Sequence, residues 1–164
     1  NRLESVYSVN DRGEKSLTTL IFPHNHLVTK PTFEKFSSED FEGIKFTNSN
    51  VTDYLISSEN NLVEFDDSSY TGNLCWARKK DNKLLSFFVK SGTSFLDNGI
   101  GFEADNPLTI YVNGTKGIVI TEGATLKLNG SELAGVNFDS NVTVNSSSGN
   151  HIEVVLEKGQ YKFQ

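Results

Sequence analysis

The sequence of 164 residues contains no methionine, one cysteine and one tryptophan. A single cysteine, Cys75, excludes an internal disulfide bond, and its place beside Trp76 in an apolar segment predicts a small buried side chain, not a reactive thiol. No apolar run approaches the roughly 18 residues that a membrane-spanning helix requires. We therefore expect no membrane span.

Basic residues are also few. Lysine and arginine together number 15 against 21 aspartate and glutamate, which gives a formal net charge of −6. Nucleic-acid-binding domains normally carry a basic face, so we expect no nucleic-acid partner. The chain opens on Asn1 without a methionine or a signal peptide. This predicts an excised C-terminal portion of a longer protein, with any targeting signal outside it.

Glycine-containing turns are abundant in the second half of the chain. Asn98-Gly99, Asn113-Gly114, Asn129-Gly130 and Ser148-Gly149 separate short segments of alternating apolar and polar residues. Short strands at a spacing of roughly 8–12 residues are typical of sandwiches and barrels, and no long helical segment intervenes. The pattern predicts an all-β fold, an antiparallel β-sandwich of many short strands, formed as a single domain over residues 1–164.

The densest apolar segment predicts a central hairpin. Residues 74–79 alternate as a strand does, Asp81-Asn82 supplies a turn, and an apolar run follows. In that run Leu85, Phe87 and Val89 have the spacing of one strand face, so we expect all three side chains to be buried.

The first 70 residues predict further short strands, joined by loops. We expect a turn or loop at Thr32–Asp40, which is too short and aperiodic for a helix, and a loop at Asp66–Ser69. The predicted strands are Ser5–Asn10, Ser16–Phe22, Phe41–Thr47, Thr52–Ser58 and Asn61–Phe65.

His24 and His26 form the one candidate metal motif, because residues two apart on a strand share a face. Zinc usually takes a third and a fourth protein ligand, and the remaining histidine, His151, is distant in sequence. Surface polar residues are the alternative interpretation. The sequence also lacks a G-x-S-x-G nucleophile motif and a phosphate-binding glycine loop. We therefore expect no metal, no cofactor and no catalytic activity.

Four aromatic residues are candidates for a carbohydrate-binding platform: Tyr54, Tyr70, Trp76 and Tyr111. Exposed aromatic rings hold sugars in many β-sandwich modules. The alternative is that these rings fill the core. Two or more of them on one open face would favour a binding module.

Three segments are similar to a known family: Leu20–Pro23, the Trp76-Ala77-Arg78 step, and Ser91–Phe95 after the turn. Their order resembles the C-terminal part of the β-sandwich domain of the heparinase II/III-like polysaccharide lyases. The resemblance extends over about residues 17–130. It implies an upstream helical toroid in the same parent chain and an acidic polysaccharide as the possible ligand.

In that family the catalytic tyrosine and asparagine lie on the toroid, and a histidine comes from an early β segment. Here His24-Asn25-His26 is followed by Leu27-Val28 and departs from the family's histidine motif, so no catalytic role is transferred. The resemblance implies a non-catalytic accessory domain of a secreted, periplasmic or cell-surface protein. An independent carbohydrate-binding or adhesion module is the alternative.

Overall fold

The computed structural model describes residues 2–9, 17–24 and 31–164, with side chains from residue 31 onward. It contains two compact units, Asn1–Thr32 and Phe33–Gln164. In the first unit, strands β1 (Arg2–Val9) and β2 (Leu17–His24) pair antiparallel. Both strands predicted there are confirmed, although β2 continues through Pro23. The single-domain assignment stays a prediction.

The other strands belong to one sheet, and its ladders whose registers are described are all antiparallel. In chain order they are β3 (Thr32–Ser37), β4 (Phe41–Asn48), β5 (Val51–Ser58), β6 (Leu62–Phe65), β7 (Ser68–Thr71), β8 (Leu74–Lys80), β9 (Lys83–Asp97), β10 (Ile100–Asn113), β11 (Lys116–Thr121), β12 (Ala124–Asn129), β13 (Thr143–Ser148), β14 (His151–Leu156) and β15 (Gly159–Phe163).

The predicted all-β antiparallel class is confirmed, and no helix occurs in the residues that the structure describes. The predicted β-sandwich would have two separate sheets. Here 13 strands form one continuous hydrogen-bonded sheet, so the sandwich stays a prediction. Within the described part of the chain, no helix is long and apolar enough to cross a membrane.

Strands β9 and β10 are much longer than the sequence predicts, at 15 and 14 residues, and they divide the sheet into two arms. The first arm consists of β3, β4, β5, β8, the start of β9, the end of β10, β11 and β15. The second arm consists of β6, β7, the end of β9, the start of β10, β12, β14 and β13.

A bend in β9 brings the two arms together. The rings of Phe87 and Phe95 stack with centroids 4.5 Å apart, although eight residues of straight strand would separate them by about 26 Å. The bend is at Ser91, whose φ of 50° leaves the extended region, and the register with β10 shifts nearby. The strand therefore continues past Ser91–Gly92 in a new direction.

The core lies between the arms. Ile56, Cys75 and Val89 of the first arm and Phe102 and Leu126 of the second arm are all fully buried. The predicted burial of Phe87, Val89 and Cys75 is confirmed. Apolar side chains from both arms thus bury each other, which supplies the main driving force for folding.

The predicted burial of Leu85 is wrong, because 41% of this residue is exposed. The ladder between β8 and β9 shifts register beside it: Arg78 lies opposite Ser86, but Lys79 lies opposite Leu84. Leu85 is the extra residue of this bulge and loses the alternation of the strand. The hairpin itself is confirmed, with Asp81 and Asn82 at φ 50° and 61° in the turn.

Two loop predictions are wrong. Residues 32–37 form strand β3, whose Phe33 packs on Phe46 of β4 with ring centroids 5.1 Å apart. Residues 68–71 form β7, which places Tyr70 fully in the core. In both places long-range pairing and aromatic packing override a weak local pattern.

Candidate functional site

The first arm has a core face and an outer face. On β8, Cys75 and Ala77 point into the core, so alternation places Trp76 and Arg78 on the opposite side. The same alternation holds on β10, where Ile110 and Val112 are buried and Tyr111 is 39% exposed. Trp76 and Tyr111 therefore share the outer face.

Strand register aligns the apolar residues of this face into one row, which we call the outer row. Trp76 lies opposite Phe88, and Phe88 lies opposite Tyr111. The row continues through Leu55 and Ile44 at one end and through Ile118 at the other. Neighbouring strands lie about 4.8 Å apart, so Trp76 and Tyr111 are about 10 Å apart with Phe88 between them.

The outer row is only partly covered. Ile44, Leu55, Trp76 and Phe88 are half-buried, and Ile118 is 37% exposed. Half-burial of large apolar residues in a contiguous line differs from the scattered exposed leucines of an ordinary surface. An apolar strip of this kind is typical of a ligand-binding or protein-binding face.

A polar row runs alongside the outer row, two residues away on each strand. It consists of Asp53, Arg78, Ser86, Asn113 and Lys116, which lie opposite one another in successive ladders. Together the two rows give the face an apolar floor with hydrogen-bonding groups along one side. Binding pockets for small molecules and sugars combine these same two elements.

The Arg78 guanidinium of the polar row is held by Asp53 beside the Trp76 ring of the outer row. Its Nε and Nη2 donate to the two carboxylate oxygens of Asp53 at 2.8 and 2.9 Å, and its Cζ lies 5.4 Å from the centre of the Trp76 ring. The bond to Asp53 raises the pKa of Arg78. A bidentate pair with a stacked ring fixes the side-chain geometry, so Arg78 presents its remaining donors in a defined direction.

A cleft of about 470 Å³ continues the outer row at its Tyr111–Ile118 end. Its lining includes Lys116, Lys162 and Asp139. The loop that forms one wall is tied to β15 and to the residue after it by backbone bonds, from Asp139 N to Lys162 O at 2.9 Å and from Asn137 N to Gln164 O at 2.8 Å. The cleft thus extends the face with two cations and one carboxylate.

Two of the four predicted platform residues lie elsewhere. Tyr54 and Tyr70 are buried in the core, with 3% and 0% exposure. Tyr54 donates to the Asp66 carboxylate, and Tyr70 donates to the Ile56 carbonyl oxygen at 3.2 Å. Their rings fill the space between the arms and cannot stack on an external sugar. Trp76 and Tyr111 remain the platform candidates.

Burial also controls the ionisation of these tyrosines. Desolvation raises the pKa of Tyr54, and the bond to Asp66 raises it further. Desolvation raises the pKa of Tyr70 to about 12. In turn, the Tyr54 hydroxyl lowers the pKa of Asp66. Both phenols therefore keep their protons to a more alkaline pH than an exposed tyrosine does, and they act as structural donors.

The candidate metal motif lies only partly within the described residues. His24 ends strand β2 opposite Arg2, whereas His26 lies outside the described residues. Among the residues described, no three His, Cys, Asp or Glu side chains lie close enough together to hold a metal ion.

Sequence reasoning did not identify Phe88, Ile118, Asp53 or Lys116 as members of a site. Alternation along each strand separately indicates which side chains share a face. It does not indicate which residue of the next strand lies opposite, and that register creates both rows.

A comparison with models of known protein families and with curated protein sequences finds no match to this chain.

Proposed function

We propose that this chain is a non-catalytic β domain that binds a polysaccharide strand along the outer row. The observation that carries the proposal is the alignment of Trp76, Phe88 and Tyr111 across three neighbouring strands on one accessible face. Trp76 and Tyr111 are two of the four aromatic candidates, and two such rings on one face favour a binding module.

The chemistry of the two rows matches that of a sugar chain. One face of a pyranose ring presents mainly C–H groups, which pack on aromatic rings, while its hydroxyl groups point sideways. A polysaccharide chain that lies along the outer row would place the faces of its sugar rings on Trp76 and Tyr111. Its hydroxyls would then reach the donors and acceptors of Arg78, Asp53 and Asn113.

Charge favours a neutral polysaccharide as the ligand. The formal net charge of −6 repels a polyanion at long range. Arg78, whose Cζ lies 5.4 Å from the centre of the Trp76 ring, is already paired with Asp53. The acidic polysaccharide implied by the family resemblance has one supporting feature, the two lysines Lys116 and Lys162 in the cleft.

The resemblance to the lyases supports a place in a larger secreted, periplasmic or cell-surface protein that degrades polysaccharide. In such a protein an upstream helical toroid would perform catalysis. The β domain would bind the substrate chain near the toroid, and this would raise the effective concentration of substrate at the catalytic site.

Affinity electrophoresis in gels containing polysaccharide tests the proposal. We expect hydroxyethyl cellulose or xyloglucan to retard the wild-type chain. Replacing both Trp76 and Tyr111 with alanine should weaken binding about tenfold or more, since aromatic anchors dominate many interfaces. The matched control is Leu62→Ala, which removes a residue 64% exposed outside the outer row and should leave retardation unchanged.

The same gels distinguish the ligand classes. Retardation by heparan sulfate but not by neutral glucans, with loss in a Lys116→Ala, Lys162→Ala variant, would assign an acidic polysaccharide to the cleft. Equal retardation of the wild type and the Trp76→Ala, Tyr111→Ala variant would refute the outer row as the binding site.

A further inference from the structure

One charged pair is enclosed within the core, apart from the proposed binding face. Lys79 Nζ lies 2.6 Å from Asp97 Oδ1, and the two side chains are only 5% and 3% exposed. The Ser68 hydroxyl donates to the same oxygen at 2.8 Å. Three groups therefore meet at one atom in a site closed to bulk water.

Position in the fold makes this pair a link between the two arms. Lys79 lies on β8 of the first arm, beside the turn of the β8–β9 hairpin. Asp97 ends β9 in the second arm, opposite both Ser68 of β7 and Ile100 of β10. A bond between these side chains would join segments 18 residues apart across the core.

Separate charges are expensive at such a site. Moving an ammonium and a carboxylate from water into the core costs a large desolvation free energy for each ion. The attraction between the two charges offsets only part of this cost. The Lys45–Asp66 pair nearby shows the contrast, because its side chains are 30% and 47% exposed and remain hydrated. A neutral amide in the buried position would carry no such cost.

We propose that Lys79 and Asp97 condense into an intramolecular amide bond. A proton first passes from the Lys79 ammonium to the Asp97 carboxylate and resides on Oδ2, so that Oδ1 keeps its hydrogen bond from Ser68. The lone pair of Nζ then attacks Cγ, and the new C–N bond forms as the bond between Cγ and Oδ2 breaks. Nζ loses two protons in total, and both leave with Oδ2 as one water molecule. Oδ1 becomes the amide oxygen, so atoms and charge balance without a co-reactant.

The surroundings favour this reaction. Ser68 donates to Oδ1, where negative charge develops as Nζ attacks, and thereby stabilises the intermediate. The Tyr54 ring, whose centre lies 5.8 Å from Nζ, helps to exclude water that would reverse the condensation. Well-oriented groups held in contact reach effective concentrations of about 10⁵–10⁸ M.

Intact-mass spectrometry of the denatured 164-residue chain tests the proposal. The expected mass is that of the sequence minus one water molecule. A proteolytic digest should then yield a branched peptide in which the Lys79 side chain is joined to the Asp97 side chain. An unmodified mass after prolonged incubation of the folded protein would overturn the proposal, and so would water loss without this branched peptide.

Two variants complete the test. Lys79→Arg keeps a cation but has no amine, and it should retain the full mass even after prolonged incubation. Lys45→Arg is the matched control, since it alters the exposed ion pair beside the same cluster, and it should still lose water. Water loss that persists in Lys79→Arg would indicate cyclisation of an aspartate with its own backbone and would refute the link. The branched peptide in the wild-type digest is diagnostic even if Lys79→Arg fails to fold.

Discussion

The Gly101 backbone passes so close to Phe95 that a β-carbon on Gly101 would stand only 1.9 Å from the Phe95 carbonyl oxygen. The two residues belong to facing strands of the β9–β10 hairpin, and Gly101 has φ 148°. Close backbone approach and an unusual φ therefore both require glycine at the start of β10.

Gly101→Ala should destabilise the chain strongly. The atoms that block the added methyl group belong to the backbone of Phe95 and Leu96, which cannot move aside as a flexible side chain could. We expect a loss of about 3 kcal/mol or more in the free energy of unfolding, measured by chemical denaturation. Gly99→Ala is the control, since its φ is 81° but nothing lies within 4 Å of its β-carbon position. That variant should lose only about 1–2 kcal/mol from backbone strain. Equal losses would show that the close contact is unimportant.

Phe87→Ala should cost about 3–5 kcal/mol, because it leaves a cavity beneath the Phe95 and Phe102 rings. Leu85→Ala, two residues away on the same strand, should cost less than about 1 kcal/mol since Leu85 is exposed in the bulge. Urea denaturation of both variants measures the difference. Similar losses would contradict the assignment of the two side chains to different surroundings.

The buried Tyr70 predicts a loss of stability at alkaline pH. Its pKa of about 12 in the folded protein exceeds the ordinary value of 10.0, so the folded state holds the phenolic proton more tightly than the unfolded chain. The resulting stabilisation is complete below pH 10.0 and is lost as the pH rises through about 12. Tyr70→Phe has no proton to lose, and its free energy of unfolding should fall less steeply over that range. Parallel profiles would contradict the prediction.

We also predict that the chain alone does not cleave polysaccharide. β-Elimination of a uronic acid needs a base, an acid and a group that neutralises the carboxylate. Tyr54, whose hydroxyl could serve as the acid, is buried against Asp66, and Arg78, which could neutralise the carboxylate, is paired with Asp53. Incubation with heparan sulfate, alginate and hyaluronan should give no ultraviolet absorbance from unsaturated ends. Product that disappears in a His24→Ala, His26→Ala double variant would contradict this.

Turn chemistry and strand alternation were sufficient to predict most of the strands. Asp81-Asn82 forms the turn of the central hairpin, and five strand predictions in the first 65 residues match observed strands. These signals are local: they depend on backbone preferences of a few adjacent residues. The bend at Ser91 and the bulge at Leu85 depend instead on the register in which β9 pairs with β8 and β10, and a pattern read along one strand does not specify that register.

The site was only half predictable for the same reason. Composition identified four aromatic candidates, but burial depends on which face of each strand meets the other arm. Tyr54 and Tyr70 face the core, whereas Trp76 and Tyr111 face outward. Only the register across β8, β9 and β10 reveals that Phe88 completes a row between the two outward rings.

Trp76 offers the most direct measurement of the proposed function, because it is the one tryptophan of the chain and lies within the outer row. Its intrinsic fluorescence should change saturably when hydroxyethyl cellulose or xyloglucan is titrated into the protein, as a sugar ring displaces water from the indole. Tyr111→Ala should keep the fold and the indole signal but require about tenfold more polysaccharide for the same change. An emission spectrum that no polysaccharide alters, or a titration that Tyr111→Ala leaves unchanged, would contradict binding along the outer row.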